Sequence, residues 1–168
     1  FLPHMTWPEV RALLRRTDMV LVPMPAMEQH GLHGPIGTDY YAGVEEAKPV
    51  AQRTDVLVAP ILYVGQSPYH LEFPGSIALS AETLQRVYFE AAQSLIKQGF
   101  RRILLYPSHT GNQYVASYVA DRLNPAGVVE GSGAKAEQAD RGKLPVGDAR
   151  AAPAAEEPEA HIARIRLP

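Results

Sequence analysis

Three apolar runs of strand length punctuate this chain: Met19-Val20-Leu21-Val22-Pro23, Val56-Leu57-Val58-Ala59-Pro60 and Arg102-Ile103-Leu104-Leu105-Tyr106. They are nearly continuous rather than alternating, the pattern of strands buried on both faces. Segments with helical spacing lie around them. Thr6-Trp7-Pro8-Glu9 reads as a capping box ahead of a helix carrying Val10, Leu13 and Leu14. A second helix is predicted over Tyr40 to Arg53, kinked or shortened at Pro49. A third runs from Ala81 to Gln98, capped by Ser80 and ended by Gly99. The last covers Gln113 to Leu123 and stops at Asn124-Pro125. Strands alternating with helices predict a parallel sheet with helices on both faces, a three-layer α/β domain.

The bulk properties narrow the function classes. The 168 residues suffice for one domain with a real core. A net charge of -2 leaves no polycationic surface for nucleic acid. The absence of cysteine removes disulfides, thiolate nucleophiles and cysteine-type zinc sites. No apolar run approaches the roughly 18 residues of a membrane span. The start, Phe1-Leu2-Pro3-His4, shows neither an initiator methionine nor a signal-peptide pattern, so a cytoplasmic protein with a trimmed N-terminus is expected. Composition shifts after Leu123. No aromatic residue follows Tyr118, and residues 131–160 are rich in Gly, Ala, Pro and Glu. The expected division is therefore an α/β domain over 1–124 and an irregular, flexible or extended tail over 125–168. Within that tail, Ile162, Ile165 and Leu167 suit a short terminal strand or docking peptide.

In parallel sheets the strand-to-helix loops emerge at one edge, where ligands collect. Here each such loop carries histidine: His30 and His33, then His70, then His109. The densest stretch is Glu28-Gln29-His30-Gly31-Leu32-His33-Gly34-Pro35-Ile36-Gly37-Thr38-Asp39, with two carboxylates and two imidazoles. Carboxylate oxygen and imidazole nitrogen are the donors that borderline and hard divalent metals take. Glu28 and His30, at i and i+2, fall on one side of an extended backbone. Asp39 follows a turn-rich path that can fold back, although it would also serve as the cap of the next helix. His109 alone reads as a turn or capping histidine, and Asn112 as an N-cap. The ligand reading of His109 rests on its sharing an edge with the first loop. His33 can be a ligand or a hydrogen-bonding neighbour. His70, within Ser67-Pro68-Tyr69-His70-Leu71-Glu72-Phe73-Pro74-Gly75, either touches substrate or fixes its loop.

Glu28-Gln29-His30-Gly31, Gly37-Thr38-Asp39, His70 with Phe73-Pro74-Gly75-Ser76, Gly99-Phe100-Arg101-Arg102 and Ser108-His109-Thr110-Gly111-Asn112 together resemble the creatininase (creatinine amidohydrolase) family. The similarity runs from about Thr6 to about Leu123. It implies a mainly parallel α/β fold, frequent assembly as hexamers and two divalent metals that serve cleavage of cyclic or linear amides. It further implies that Glu28 and His109 hold one metal, that His30 holds the other and that Asp39 bridges both. The chain departs from the family pattern in two places. Gly111 stands where creatininases proper carry a metal-binding glutamate. The later segment that supplies a glutamate and a proton-transferring histidine in relatives has no counterpart here. Glu130, Glu137, Glu156, Glu157, Glu159 and His161 occur in other contexts.

The expected function is thus a metal-dependent amidohydrolase. It would cleave a non-peptide C–N bond, of cyclic or formyl type, in a small molecule through a metal-activated water. Glu28 and His70 are the expected catalytic residues, with His70 protonating the leaving amine. Glu28, His30, Asp39 and His109 are the expected ligands for zinc, or manganese or iron, at one or two ions per chain. The alternative is a catalytically degenerate creatininase-like subunit with a structural or binding role. A binuclear phosphoesterase ranks lower, because no Arg/Lys cluster adjoins the motifs to hold phosphate.

Overall fold

The first and third apolar runs form strands over their predicted lengths, β1 at Met19–Pro23 and β3 at Arg102–Tyr106. These come from a computed structural model that describes residues 1–124 and 163–167. The second run pairs for less than predicted. Only Leu57–Val58 forms β2, and the Ala59 amide makes a last bond to Leu21 O at 2.8 Å. Pro60 then has no amide to continue the ladder. A fourth strand, β4 at Ala163–Arg166, is the short terminal strand expected around Ile165. The expectation of irregular chain over 125–162 lies outside the described residues.

The sheet order is β2-β1-β3-β4, with β1 parallel to both neighbours and β4 antiparallel to β3. Register sorts the side chains by layer. Val20, Leu57, Ile103 and Ile165 stand level across the four strands and enter the larger core. There they meet Leu84, Tyr88, Ala92 and Leu95 of α4 (Ala81–Gln98) and Val115, Ala116, Val119 and Ala120 of α5 (Gln113–Leu123). One residue further along, Leu21, Val58 and Leu104 face the opposite side and pack with Ala47 and Ala51. Period-two alternation thus builds the three predicted layers.

The helix starts and stops follow local chemistry. In α1 (Trp7–Leu14), the Glu9 carboxylate accepts from Thr6 N and Oγ1, both at 2.7 Å. Ser80 Oγ accepts from Thr83 N, and Gly99 ends α4 at φ +113°, a left-handed turn that glycine adopts without a steric penalty. The segment predicted as Tyr40–Arg53 starts two residues earlier. It comprises α2 (Thr38–Tyr40), a π-helical turn over Tyr41–Glu45 and α3 (Glu46–Arg53). Pro49 lies inside α3 and does not stop it; the helix runs on to Arg53, and the π-helical turn lies directly before α3.

Candidate metal centre

The order β2-β1-β3 means that the chain leaves β1 toward one edge and returns on its other side. Such a reversal opens a crevice beyond the carboxyl ends of β1 and β3. The loop after β1 and the turn after β3 both emerge there. Backbone bonds fold the first loop back on itself: Glu28 N donates to Ile36 O at 3.0 Å, and Thr38 N to Pro35 O at 3.1 Å. This path brings Asp39 beside Glu28. Asp39 does not cap the helix; Gly37 occupies that position. Ser108 Oγ, from the turn after β3, donates to the Asp39 backbone carbonyl at 3.0 Å.

Asn112 takes the N-cap position of α5 that the sequence predicts, and its side chain ties three loops together. It is fully buried; Nδ2 donates to Met24 O (2.8 Å) and Pro25 O (3.0 Å), and Oδ1 accepts from Gln66 N (3.0 Å). Its side chain makes no capping bond and instead serves two backbone carbonyls and one backbone amide of the neighbouring loops.

At the crevice, ligand-type atoms of Glu28, Asp39 and His109 lie within 4.8 Å of one another. His109 Nε2 meets the Gln66 carbonyl at 3.0 Å. A carbonyl only accepts, so this nitrogen carries the proton and neutral His109 leaves Nδ1 bare. Nδ1 faces Asp39 Oδ2 at 3.0 Å and Glu28 Oε1 at 3.5 Å. His30 repeats the arrangement. Nδ1 donates to Glu28 O at 3.1 Å, which leaves Nε2 bare and 3.2 Å from Asp39 Oδ1. Each Asp39 oxygen therefore faces a different imidazole.

Two lone-pair nitrogens aimed at carboxylate oxygens repel unless a positive charge lies between them. Glu28 Oε2 and Asp39 Oδ2 are buried without a hydrogen-bond partner among the described residues. The 3.0 Å contact of Oδ2 with His109 is not aligned as a hydrogen bond. Backbone carbonyls that hold the outer nitrogens are the usual means of orienting metal-ligating histidines. The donor set therefore fits a divalent cation, and its oxygens and imidazoles suit zinc, manganese or iron.

His70 lies at the rim, with its side chain 32% exposed and Nε2 3.9 Å from Glu28 Oε1. His33 is exposed and stands apart from the cluster. The Gln66 carbonyl and the Gln29 side chain are the contributors that sequence patterns did not pick out. Gln29 lies inside the motif, but nothing in its spacing marks its side chain. Gln66 acts through its backbone carbonyl, which leaves no trace in sequence.

Burial pulls the His109 pKa down, but the adjacent Asp39 carboxylate, the Gln66 carbonyl and the Glu28 charge outweigh it. The net effect raises the pKa above the ordinary 6.5. A cation at Nδ1 must displace that proton. Affinity for Mn²⁺ should therefore weaken by roughly tenfold per pH unit below the raised pKa and level off above it. Without cation the linkage has the opposite sign. The charged histidine stabilises the fold below its unfolded pKa, and that contribution is lost as pH rises through the folded value. Calorimetric titration at several pH values checks this; a pH-independent affinity would remove His109 from the ligand set.

Taken together, the mainly parallel three-layer sheet and the carboxylate–imidazole cluster at its switch point define an α/β protein with a metal-type donor site. The chain belongs to the creatininase family: the family model described as creatinine amidohydrolase matches residues 3–161. It is 32% identical over 118 residues to a creatinine amidohydrolase of Pseudomonas putida, covering 67% of this chain and 45% of the relative. It is 29% identical over 112 residues to a 3-dehydro-scyllo-inosose hydrolase of Thermotoga maritima (66% and 36% covered). It is 33% identical over 108 residues to a mycofactocin precursor peptide peptidase of Mycolicibacterium smegmatis (61% and 43% covered). A solved manganese creatininase superposes with a TM-score of 0.67 at 29% identity, over 73% of this chain and 50% of that one. The chain thus spans less than half the length of these curated relatives and half of the solved structure. The relatives' names include an amidohydrolase, a hydrolase and a peptidase, so they agree on hydrolysis and differ in the bond cleaved. Among the described residues no helix is long and apolar enough to cross a membrane.

Proposed function

We propose that this chain is a metal-dependent hydrolase that opens a C–N bond of cyclic or formyl-amide type in a small molecule. The observation that carries the reading is the paired imidazole geometry. His30 and His109 each commit one nitrogen to a backbone carbonyl and turn the other on a separate oxygen of Asp39. In this reading Glu28 and His109 hold one cation, His30 holds a second, and Asp39 serves both. Zinc is the proposed ion, with manganese and iron fitting the same donors. When bound, the metal supplies carbonyl polarisation and a water of lowered pKa. The side chains do the rest. Glu28, only 7% exposed, places Oε1 inside the crevice at 3.9 Å from His70 Nε2. His70 delivers its Nε2 proton to the departing nitrogen as the carbonyl carbon gains the water oxygen and the C–N bond breaks, and the proton that the water loses passes through Glu28 to Nε2, so that His70 ends neutral. The proposal extends to a cytoplasmic homo-oligomer, a hexamer by family resemblance. The exposed Tyr69, Leu71, Phe73 and Ile77 of the loop after β2 supply apolar surface for a second copy to cover.

A catalytically degenerate subunit is the second reading, and Gly111 favours it. A Cβ there would overlap His109 Nε2 and lie 2.7 Å from Gln66 O. Position 111 therefore supplies no carboxylate to a second ion. Metal content after loading with zinc, manganese or iron, followed by amine release from creatinine and N-formyl amines, separates the two. One or two ions with amine release are expected. A chain that takes up no ion would end the hydrolase reading, and one ion without turnover would favour the degenerate subunit.

A further inference from the structure

The residue between two proposed ligands, Gln29, makes a set of bonds that the metal site itself does not require. Its Oε1 accepts from the Gly31 amide at 2.9 Å. A backbone N–H can only donate, so the amide orientation of Gln29 follows: oxygen toward Gly31, nitrogen toward the other partner. That partner is His70 Nδ1, at 3.0 Å from Gln29 Nε2. The amide nitrogen is likewise only a donor, so Nδ1 accepts. Neutral His70 then carries its proton on Nε2, the nitrogen that faces Glu28 Oε1 at 3.9 Å. That separation is too long for a hydrogen bond, so the proton is directed into the crevice without being tied there. The relay is anchored at its base, because Gln29 N donates to Ser76 Oγ at 3.1 Å, and Ser76 N in turn bonds Phe73 O at 3.2 Å. The loop that carries His70 and the motif that carries Gln29 are thereby held in fixed relation.

We propose that Gln29 is a positioning residue that sets the tautomer of His70. Through the chain Gly31 N–H to Gln29 to His70 Nδ1, it presents an Nε2–H to the leaving group. The role in turnover rests on the hydrolase reading above, whereas the tautomer does not.

The test uses the full chain, zinc-loaded and zinc-free, labelled with ¹⁵N in its histidines. The His70 resonances are assigned by their loss in His70→Gln. In the wild-type protein above the His70 pKa, a protonated Nε2 and a bare Nδ1 are expected. Gln29→Glu replaces the donor with an acceptor and should move the proton to Nδ1. Gln29→Met removes the donor at similar volume and should shift the Nδ1 resonance. A wild-type His70 protonated on Nδ1, or a resonance pattern unmoved by both substitutions, would overturn the proposal. With an amide that the wild-type protein hydrolyses, Gln29→Glu should lower kcat at least tenfold at matched metal content, with KM within twofold. A reversed tautomer with unchanged kcat would overturn the part played in turnover. Should the wild-type protein hydrolyse no amide, the hydrolase reading fails while the nitrogen spectrum still decides the tautomer.

Discussion

Asp39→Ala should abolish cation-induced stabilisation and lower amide hydrolysis by more than about 100-fold, because removing even the outer partners of a metal site costs up to that much. Among the described residues, Asp39 is the one whose two oxygens face both histidines, Oδ1 toward His30 and Oδ2 toward His109. Its loss separates the two halves of the cluster. The stability readout is independent of any substrate. At a free cation concentration 100 times Kd, binding to the native state alone adds about 2.7 kcal/mol. For a chain of 168 residues that corresponds to a rise in Tm of about 5–10 °C. The wild-type protein should show this rise with Mn²⁺ or Zn²⁺, and Asp39→Ala should show none. In the absence of cation the two proteins should melt close together. Asp39 helps to keep His109 protonated, but it also holds a buried carboxylate oxygen without a hydrogen-bond partner, and these terms oppose each other. An Asp39→Ala protein that still gained several degrees with Mn²⁺ would place the cation elsewhere.

What the sequence revealed, and what it hid, divides along physical lines. Buried strands and capped helices depend on local composition, so β1, β3, α4 and α5 were legible nearly residue by residue. β2 was legible in place but not in length. The apolar run extends to Pro60, yet β2 ends at Val58 with one last bond from the Ala59 amide, because hydrogen bonding, unlike hydrophobicity, needs the amide that Pro60 lacks. Glu28, His30, Asp39 and His109 could be grouped because loops following parallel strands share an edge. Their mutual distances could not be read. The fold-back of Glu28 N onto Ile36 O, and the Gln66 carbonyl that fixes His109, are backbone contacts indifferent to side-chain identity. Asn112 was legible as the N-cap of α5 by position, but not in what its side chain bonds, for a related reason. A polar residue at the head of a helix satisfies the capping pattern equally well when its side chain turns inward to buried carbonyls.

Gly111→Ala should have the next largest effect, out of proportion to one methyl group. The added Cβ would overlap His109 Nε2 and lie 2.7 Å from Gln66 O, the two atoms joined by the bond that leaves His109 Nδ1 bare. Either the imidazole turns away or the Gln66 backbone retreats. The backbone is held by Asn112 through Gln66 N, so the imidazole is the softer element. Strain and a lost buried hydrogen bond together should cost about 2–4 kcal/mol, a drop in Tm of about 4–16 °C for a chain of this size. Affinity for Mn²⁺ should fall by about 10–100-fold, the usual result of losing an outer partner of a ligating histidine. Gly111→Glu sharpens the case, since it restores the carboxylate that creatininases proper carry at this position. If the site is built around His109 as described, the glutamate variant should be destabilised as the alanine variant is and should bind no additional ion. Were Gly111→Glu instead to bind one more ion per chain than the wild-type protein, the turn after β3 would have to rearrange, and the His109–Gln66 contact would not be the constraint that excludes a side chain at 111. Melting curves and metal stoichiometry for the two variants decide between these outcomes.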